Sequence, residues 1–474
     1  MPTDPGLRRL ALRTLLAAFP GTAPPAWALD LVRDGLAGYT LFGRNIDHPA
    51  QVAACTAALR AARPDVLIAI DEEGGDVTRL AHATGSPYPG NAALGAIDDV
   101  ALTHRVYRAI GEELVALGIT VNLAPSVDVN TADDNPIIGT RSFGADPARV
   151  AAHASAAVEG LQSAGVAACA KHFPGHGATV TDSHDDLPTV DVSPATLHDR
   201  DLPPFAAVVK SATRAVMTAH IRVPALTGAD PATFSRTLLV DLLRGEFGFT
   251  GAVITDALEM RGATIAAGGI GPAAVRALAA GADLLCIGAK VDADLVERIA
   301  AEIAAALGDG RLSTERVEQA AQRAAELAEW TREAAAGRRG TATPATVDVP
   351  AELGYGAARR AVRVEGTLPD LGTPLVVQLS AIANQAEGRV PWGLGPHLDG
   401  VEQVHLVAAE ADLGALRELA GDRTIVLVGR HLHRLPGAPE LVEGLAASHP
   451  VVVVEMGWPA RWRPAGGRAF VTTY

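Results

Sequence analysis

The stretch Lys171-His172-Phe173-Pro174-Gly175-His176-Gly177, continued by Thr181-Asp182-Ser183-His184-Asp185-Asp186, gathers three histidines, a lysine and three aspartates. Two chemistries compete for it. His172 and His176 are four residues apart, a spacing that offers two imidazoles to a metal ion from one helix face, with carboxylates nearby. The Pro174-Gly175 break prevents that helix, so a metal-dependent barrel hydrolase is the weaker reading. The other chemistry is proton transfer. In Asp182-Ser183-His184 a carboxylate two residues from an imidazole can fix its tautomer and stabilise the imidazolium. Such a pair gives and takes protons near neutrality.

Proton transfer of this kind needs a nucleophile or an activated water beside it. Val253-Ile254-Thr255-Asp256-Ala257-Leu258-Glu259-Met260 supplies a carboxylate, Asp256, directly after an apolar run. Carboxylates in that setting form the covalent intermediate of retaining glycosidases. Glu259 is assigned instead to the start of the following helix, where a carboxylate favours the positive end of the dipole.

The elements that would hold these residues are eight short apolar runs, each followed by an Ala-rich helical segment. They lie at 13–19, 38–43, 66–71, 119–125, 166–172, 215–220, 251–256 and 282–288. Runs apolar throughout indicate strands covered on both faces, and their alternation with helices indicates parallel βαβ units. The expected fold class is α/β, a (β/α)₈ barrel over residues 1–337. Asp71, Asp128, Lys171, His172, His220 and Asp256 all fall at or just past the C-terminal ends of these runs. In a parallel barrel those ends share one mouth, where such barrels carry their active sites. A Thr-, Pro- and charge-rich segment at 338–353 reads as a linker, and runs at 375–380, 401–409, 424–429 and 451–457 predict a smaller α/β domain over 354–474.

Composition excludes several other classes. The 474 residues are 48% hydrophobic and 20% charged, far from the signature of disorder. With 40 basic against 54 acidic residues the net charge is −14, and no dense Lys/Arg stripe offers itself to nucleic acid or an anionic membrane. Cys55, Cys169 and Cys286 sit far apart in apolar runs and read as buried, reduced thiols. Neither a phosphate-binding GxxxxGK[ST] loop nor a GxGxxG after a strand occurs, so no nucleotide cofactor is expected. No run approaches a membrane span and the N-terminus lacks the pattern of a signal peptide, so the expected location is the cytoplasm.

The motifs IDEEGG, NPIIGTRSFG, KHFPGHG, DSH, MTAHI and ITDALEM, in this order along the chain, resemble glycoside hydrolase family 3, in particular its β-N-acetylglucosaminidase branch (the NagZ type, two-domain form). The resemblance implies Asp256 as nucleophile, His184 as general acid/base and Asp182 as its partner. It implies Asp71, Arg141, Lys171 and His172 as ligands of the terminal sugar's hydroxyls, with His176 organising the loop, and neither metal nor cofactor. The catalytic groups would then all precede residue 260, so the second domain would not supply the acid. In many relatives EGG is followed by Arg where this chain has Asp76, although Arg79 keeps the second basic position. The expected substrates are muropeptide or chito-oligosaccharide fragments. Transfer to phosphate instead of water is the alternative, because a neutral imidazole does not repel a phosphate dianion as a carboxylate would. A sugar-binding protein that has lost catalysis is disfavoured by the presence of both Asp256 and the Asp182–His184 pair.

Overall fold

The computed structural model describes residues 4–183, 186–288, 291–336, 349–381, 384, 386–388, 390–398 and 400–474. The linker assigned to 338–353 falls largely outside these residues, as does His184.

Eight parallel strands form the first sheet: β1 (Leu15–Ala17), β2 (Gly38–Leu41), β3 (Leu67–Ile70), β4 (Val121–Asn122), β5 (Ala167–Phe173), β6 (Ala215–Thr218), β7 (Ala252–Thr255) and β8 (Leu285–Cys286). Their order is β7-β6-β5-β4-β3-β2-β1-β8. The Ile254–Leu284 bridge joins the two ends and closes the barrel. Each strand overlaps one of the eight apolar runs, as expected of strands buried on both faces.

The inward side chains mix small or sulfur-bearing residues, among them Ala69, Ala167, Cys169, Ala215, Ala252 and Cys286, with Leu16, Leu67, Val121, Ile254 and Leu284, which together fill a narrow eight-stranded interior. The same cluster takes in Ala324, Leu327 and Ala328 of the helix Thr314–Ala336, which therefore plugs the barrel at the beginnings of its strands. Asp283, fully buried before β8, anchors that helix by accepting from Arg316 at 2.5 Å and Arg323 at 3.0 Å. All three cysteines are free and buried, and burial raises their thiol pKa values.

The outer helices carry their own start signals. Asp99 accepts from Leu102 N at 3.0 Å to cap Val100–Ala116, and Asp146 caps Pro147–Ser163 with proline in the first turn. These two helices approach so closely that a Cβ on Gly160 would stand 2.5 Å from His104 O. Among the described residues no single helix is long and apolar enough to cross a membrane.

The second sheet is mixed, in the order β11-β10-β12-β13-β14-β9. It comprises β9 (Arg363–Gly366), β10 (Leu375–Leu379), β11 (Gln403–Leu406), β12 (Ile425–Gly429), β13 (Val451–Glu455) and β14 (Ala469–Thr472). Only β9 runs antiparallel, against β14. Separate apolar clusters cover its two faces, one of them under the helices Leu413–Ala420 and Ala438–Ala446. The four expected strands are present. β9 and β14 are additions, and β9 is exposed along its length, which is why it carries no apolar run.

Candidate active site

The C-terminal ends of the barrel strands surround a cavity of about 830 Å³. Asp71, Arg141, Lys171, His172, His176 and Asp256 all line it. The mouth predicted from strand ends therefore holds most of the expected site.

Its β3 and β5 side is a network of charges. Lys171 Nζ lies 2.6 Å from Asp71 Oδ1 and 2.8 Å from Glu73 Oε1. Arg141 grips Glu73 with two hydrogen bonds of 3.0 and 2.8 Å, and its NH2 group lies 3.2 Å from His172 Nε2. Glu73 is thus the hub of the network, a role the sequence reading did not assign. Burial alone would raise its pKa, but Arg141 and Lys171 outweigh that and hold it below the usual carboxylate range. The same two carboxylates raise the Lys171 pKa against the opposing effect of burial. Two cations and two carboxylates compensate one another, so the cavity can offer donors and an acceptor to sugar hydroxyls without an unpaired buried charge.

The neighbouring Glu72 behaves oppositely. It points away from the cavity, where its carboxylate accepts from Arg79 N at 2.9 Å and Leu80 N at 3.1 Å. Burial outweighs these bonds and lifts its pKa to about 7. The loop can reverse here because Gly74 and Gly75 adopt φ of 83° and 55°, conformations that side chains resist. A Cβ on Gly75 would also meet Gly90 Cα at 2.6 Å.

Behind His172 sits Asp128, fully buried. Its Oδ2 is 2.7 Å from His172 Nδ1, and its Oδ1 accepts from His176 N at 2.6 Å. Burial opposes ionisation, but His172 and the His176 amide bring the Asp128 pKa down to about 2. Asp128 therefore orients His172 rather than facing the cavity. His176 has burial as the main reason for a pKa near 4 and is neutral at pH 7. Its ring nitrogens lie 2.6 Å from Thr179 Oγ1 and 3.2 Å from Ser183 Oγ. It thus ties down the loop that carries the Asp-Ser-His motif, in line with the loop-organising role implied for it.

Both imidazoles are therefore engaged at both nitrogens, and the nearest group to His172 Nε2 is a guanidinium. A metal ion at that position would face a positive charge. Among the described residues no group of three or more His, Cys, Asp or Glu side chains is arranged to hold one.

Opposite this network, Asp256 follows β7, with its Oδ1 accepting from Ala257 N at 2.8 Å. Glu259 does not start the next helix, which runs from Arg261 to Ala267. Its carboxylate instead accepts from Gly288 N at 2.8 Å and lines the cavity, because the chain needs four residues after Asp256 to turn off the barrel rim. His220 is also placed differently from the shared mouth expected of it. It is fully buried, with Nδ1 at 2.8 Å from Thr233 Oγ1 and Nε2 at 3.1 Å from Ala257 O, so it braces the turn beside Asp256. Asp182 is half-buried on its loop, its carbonyl accepting from Asp186 N at 3.1 Å, while His184 lies outside the described residues.

The second domain reaches the same cavity. Ala386, Glu387 and Gly388, from the connection between β10 and β11, are part of its wall. Arg79 NH1 donates to Ala386 O at 2.8 Å, and its NH2 lies 3.8 Å from Asp71 Oδ2. Asp76 pairs with Arg430, which follows β12, and also accepts from Thr140 Oγ1 at 2.9 Å. The acidic residue at position 76 thus makes an interdomain ion pair. Its partner is more than 300 residues away in sequence, beyond the reach of local motif reading.

Comparison with known proteins follows the same lines. The model described as "Glycosyl hydrolase family 3 N terminal domain" matches residues 26–327. The chain is 36% identical over 332 residues to beta-hexosaminidase A of Pseudoalteromonas piscicida, covering 65% of this chain and 55% of that protein. It therefore spans little more than half the length of that relative. It is 39% identical over 254 residues to a beta-hexosaminidase of Pseudomonas aeruginosa, covering 52% of this chain and 73% of the relative. The solved structure of a glycoside hydrolase family 3 beta-N-acetylglucosaminidase from Paenibacillus sp. str. FPU-7 superposes with a TM-score of 0.88 at 32% identity, covering 99% of this chain and 93% of the other.

Proposed function

Because this chain belongs to glycosyl hydrolase family 3, we propose that it is a retaining exo-β-N-acetylglucosaminidase that removes terminal N-acetylglucosamine from muropeptide or chito-oligosaccharide fragments. The observation that carries this reading is the sharing of one cavity by Asp256 on one side and the Asp71–Lys171–Glu73–Arg141–His172 network on the other. One side offers a carboxylate to the anomeric carbon. The other offers an acceptor, Asp71, and donors to the remaining hydroxyls. The names of the relatives favour an N-acetylated sugar.

In this mechanism Asp256 attacks the anomeric carbon as His184, oriented by Asp182, protonates the departing oxygen. The bond to the aglycone breaks and a glycosyl ester on Asp256 forms. His184, now neutral, takes a proton from the incoming acceptor, whose oxygen displaces the carboxylate with a second inversion. The product keeps the β configuration.

The test is a product assay on an aryl β-N-acetylglucosaminide, with and without phosphate, following the anomeric proton of the first-formed sugar by NMR. Release of β-N-acetylglucosamine supports the proposal. Release of the sugar 1-phosphate would replace water by phosphate as the acceptor, and first-formed α-sugar would overturn the retaining mechanism.

A further inference from the structure

Between β3 and β4 the chain carries Pro89-Gly90-Asn91-Ala92-Ala93-Leu94-Gly95, a stretch that the reaction above leaves unused. We infer that Asn91 is a positioning residue: held by Tyr107, it fixes the turn that carries Arg141 and so sets where that guanidinium meets Glu73 and the sugar. This rests on the hexosaminidase reading above and adds to it a buried side chain that is not part of the cavity wall.

Asn91 opens the short helix Asn91–Ile97, which lies between the loop after β3 and the turn Gly139–Arg141. Two close approaches hold the helix there. Gly90 meets Gly75 of the loop, and a Cβ on Gly95 would overlap Phe143 O, two residues past Arg141. Asn91 Nδ2 donates to Arg141 O at 2.7 Å, and Tyr107 Oη donates to Asn91 Oδ1 at 2.6 Å. The partners fix these directions. A carbonyl only accepts, so the amide nitrogen must face Arg141, and the amide oxygen then needs a donor. Burial raises the Tyr107 pKa well above its ordinary value, so the phenol keeps its proton and that donor is always present. The same hydroxyl lies 3.3 Å from Glu73 O. The backbones of both members of the Glu73–Arg141 pair thus rest on one buried Tyr107–Asn91 unit.

The placement matters because Arg141 grips Glu73 through two hydrogen bonds. A bidentate pair defines the orientation of the guanidinium as well as its distance. Without Asn91 the carbonyl of Arg141 becomes a buried acceptor lacking its side-chain donor, and the turn gains by shifting toward another one. Misplacing a substrate-holding group by about 1 Å costs on the order of a hundredfold in rate. Arg141 keeps other holds, since its N–H donates to Ile138 O at 2.9 Å and its NH1 to Ile137 O at 3.0 Å. The expected effect is therefore a smaller one, about tenfold.

Asn91→Ala removes both bonds of the amide. The expected result is a KM for an aryl β-N-acetylglucosaminide raised about tenfold, with kcat within about threefold of the parent, since the misplaced group binds sugar in ground and transition states alike. In an Arg141→Ala background the same substitution should change KM by less than about twofold, because no guanidinium is left to position. A merely structural role would cost the same in both backgrounds. The second readout needs no sugar: the 15N resonance of His172 Nε2, which lies 3.2 Å from Arg141 NH2, should move in Asn91→Ala. Tyr107→Phe keeps the ring and removes only the hydroxyl; it should show both changes at smaller size, and it replaces Asn91→Ala if that variant does not fold. Unchanged KM with an unmoved His172 resonance in a folded variant would overturn the inference, as would a fall in kcat at constant KM or an equal KM effect with and without Arg141. A moved resonance in a protein whose parent is inactive on the aryl glycoside would support the positioning of Arg141 and overturn the hexosaminidase reading instead.

Discussion

Replacing Glu73 by Gln tests whether the hub of the charge network is what holds the sugar-binding side together. The substitution keeps the shape and one acceptor oxygen, but it removes the charge that faces both Arg141 and Lys171. Glu73 is 2% exposed, so water cannot replace the lost charge. Removing one partner from a buried ion pair costs about 3–5 kcal/mol, and the amide's remaining hydrogen bond puts the expected loss near the lower end, about 2–4 kcal/mol. Asp71 would be left as the sole carboxylate in contact with Lys171, and Arg141 would lose its bidentate partner beside His172. Denaturant unfolding at pH 7 measures the stability loss, and steady-state kinetics on an aryl β-N-acetylglucosaminide measures its effect on the site, where kcat/KM should fall at least about a hundredfold. The pH dependence supplies an internal check. A carboxyl with a depressed folded pKa contributes stability above its unfolded pKa, and that contribution fades as pH falls through the folded value. The gap between parent and variant should therefore be constant from about pH 5 to 8 and narrow only below about pH 4. A variant within about 0.5 kcal/mol of the parent, with unchanged kcat/KM, would refute the reasoning.

Three other outcomes follow from the site. Glu72→Gln should do the reverse of its neighbour: a carboxyl raised to about 7 in the folded protein makes the parent lose stability as pH rises from about 4.5 to 7. That slope, worth on the order of 3 kcal/mol in total, should be missing from the variant's denaturation curves. Asp256→Ala should retain the fold by circular dichroism and lose nearly all turnover, with a fluorosugar adduct forming on the parent protein but not on the variant; wild-type rates in the variant would remove Asp256 from the mechanism. His184→Ala should slow substrates with poor leaving groups far more than activated aryl glycosides, and equal losses on both would count against its acid role.

The parts of this site that can be read from the chain are those fixed by strand periodicity. Asp71, Lys171, His172 and Asp256 each end or directly follow an apolar run, and a parallel barrel brings such ends to one mouth whatever the helices between them do. Arg141 became legible only through its motif, because it sits in a short turn rather than at a strand end. The division of labour between Glu72 and Glu73 is invisible locally. Two identical side chains in succession face opposite ways, and the positions of Arg141 and Lys171 decide which one has its pKa held down and which is left to be raised by burial. Glu387 and Arg430 could not be found at all by local reading, since the cavity that Glu387 lines and the Asp76 that pairs with Arg430 belong to the barrel, a different domain. His220 shows the opposite error: a polar residue at the right place in its run can still turn into the wall, when a threonine hydroxyl such as that of Thr233 is there to receive it.

Closure of the barrel through β1 and β8 also governs how the protein can be made. β1 is complete by residue 17, yet one of its two hydrogen-bonding neighbours is not synthesised until residues 285–286, and the helix that seals the bottom ends at residue 336. A ribosome adding about 5–20 residues per second leaves that edge unpaired for many seconds. Throughout that interval the nascent chain carries an open apolar sheet, a substrate for chaperones and for mispairing with its neighbours on the same message. Chains arrested before residue 280 are therefore expected to be digested by protease at the β1 edge, and chains arrested with residues 1–336 outside the exit tunnel to resist it. Equal protection of the two would mean that the open sheet is shielded in another way.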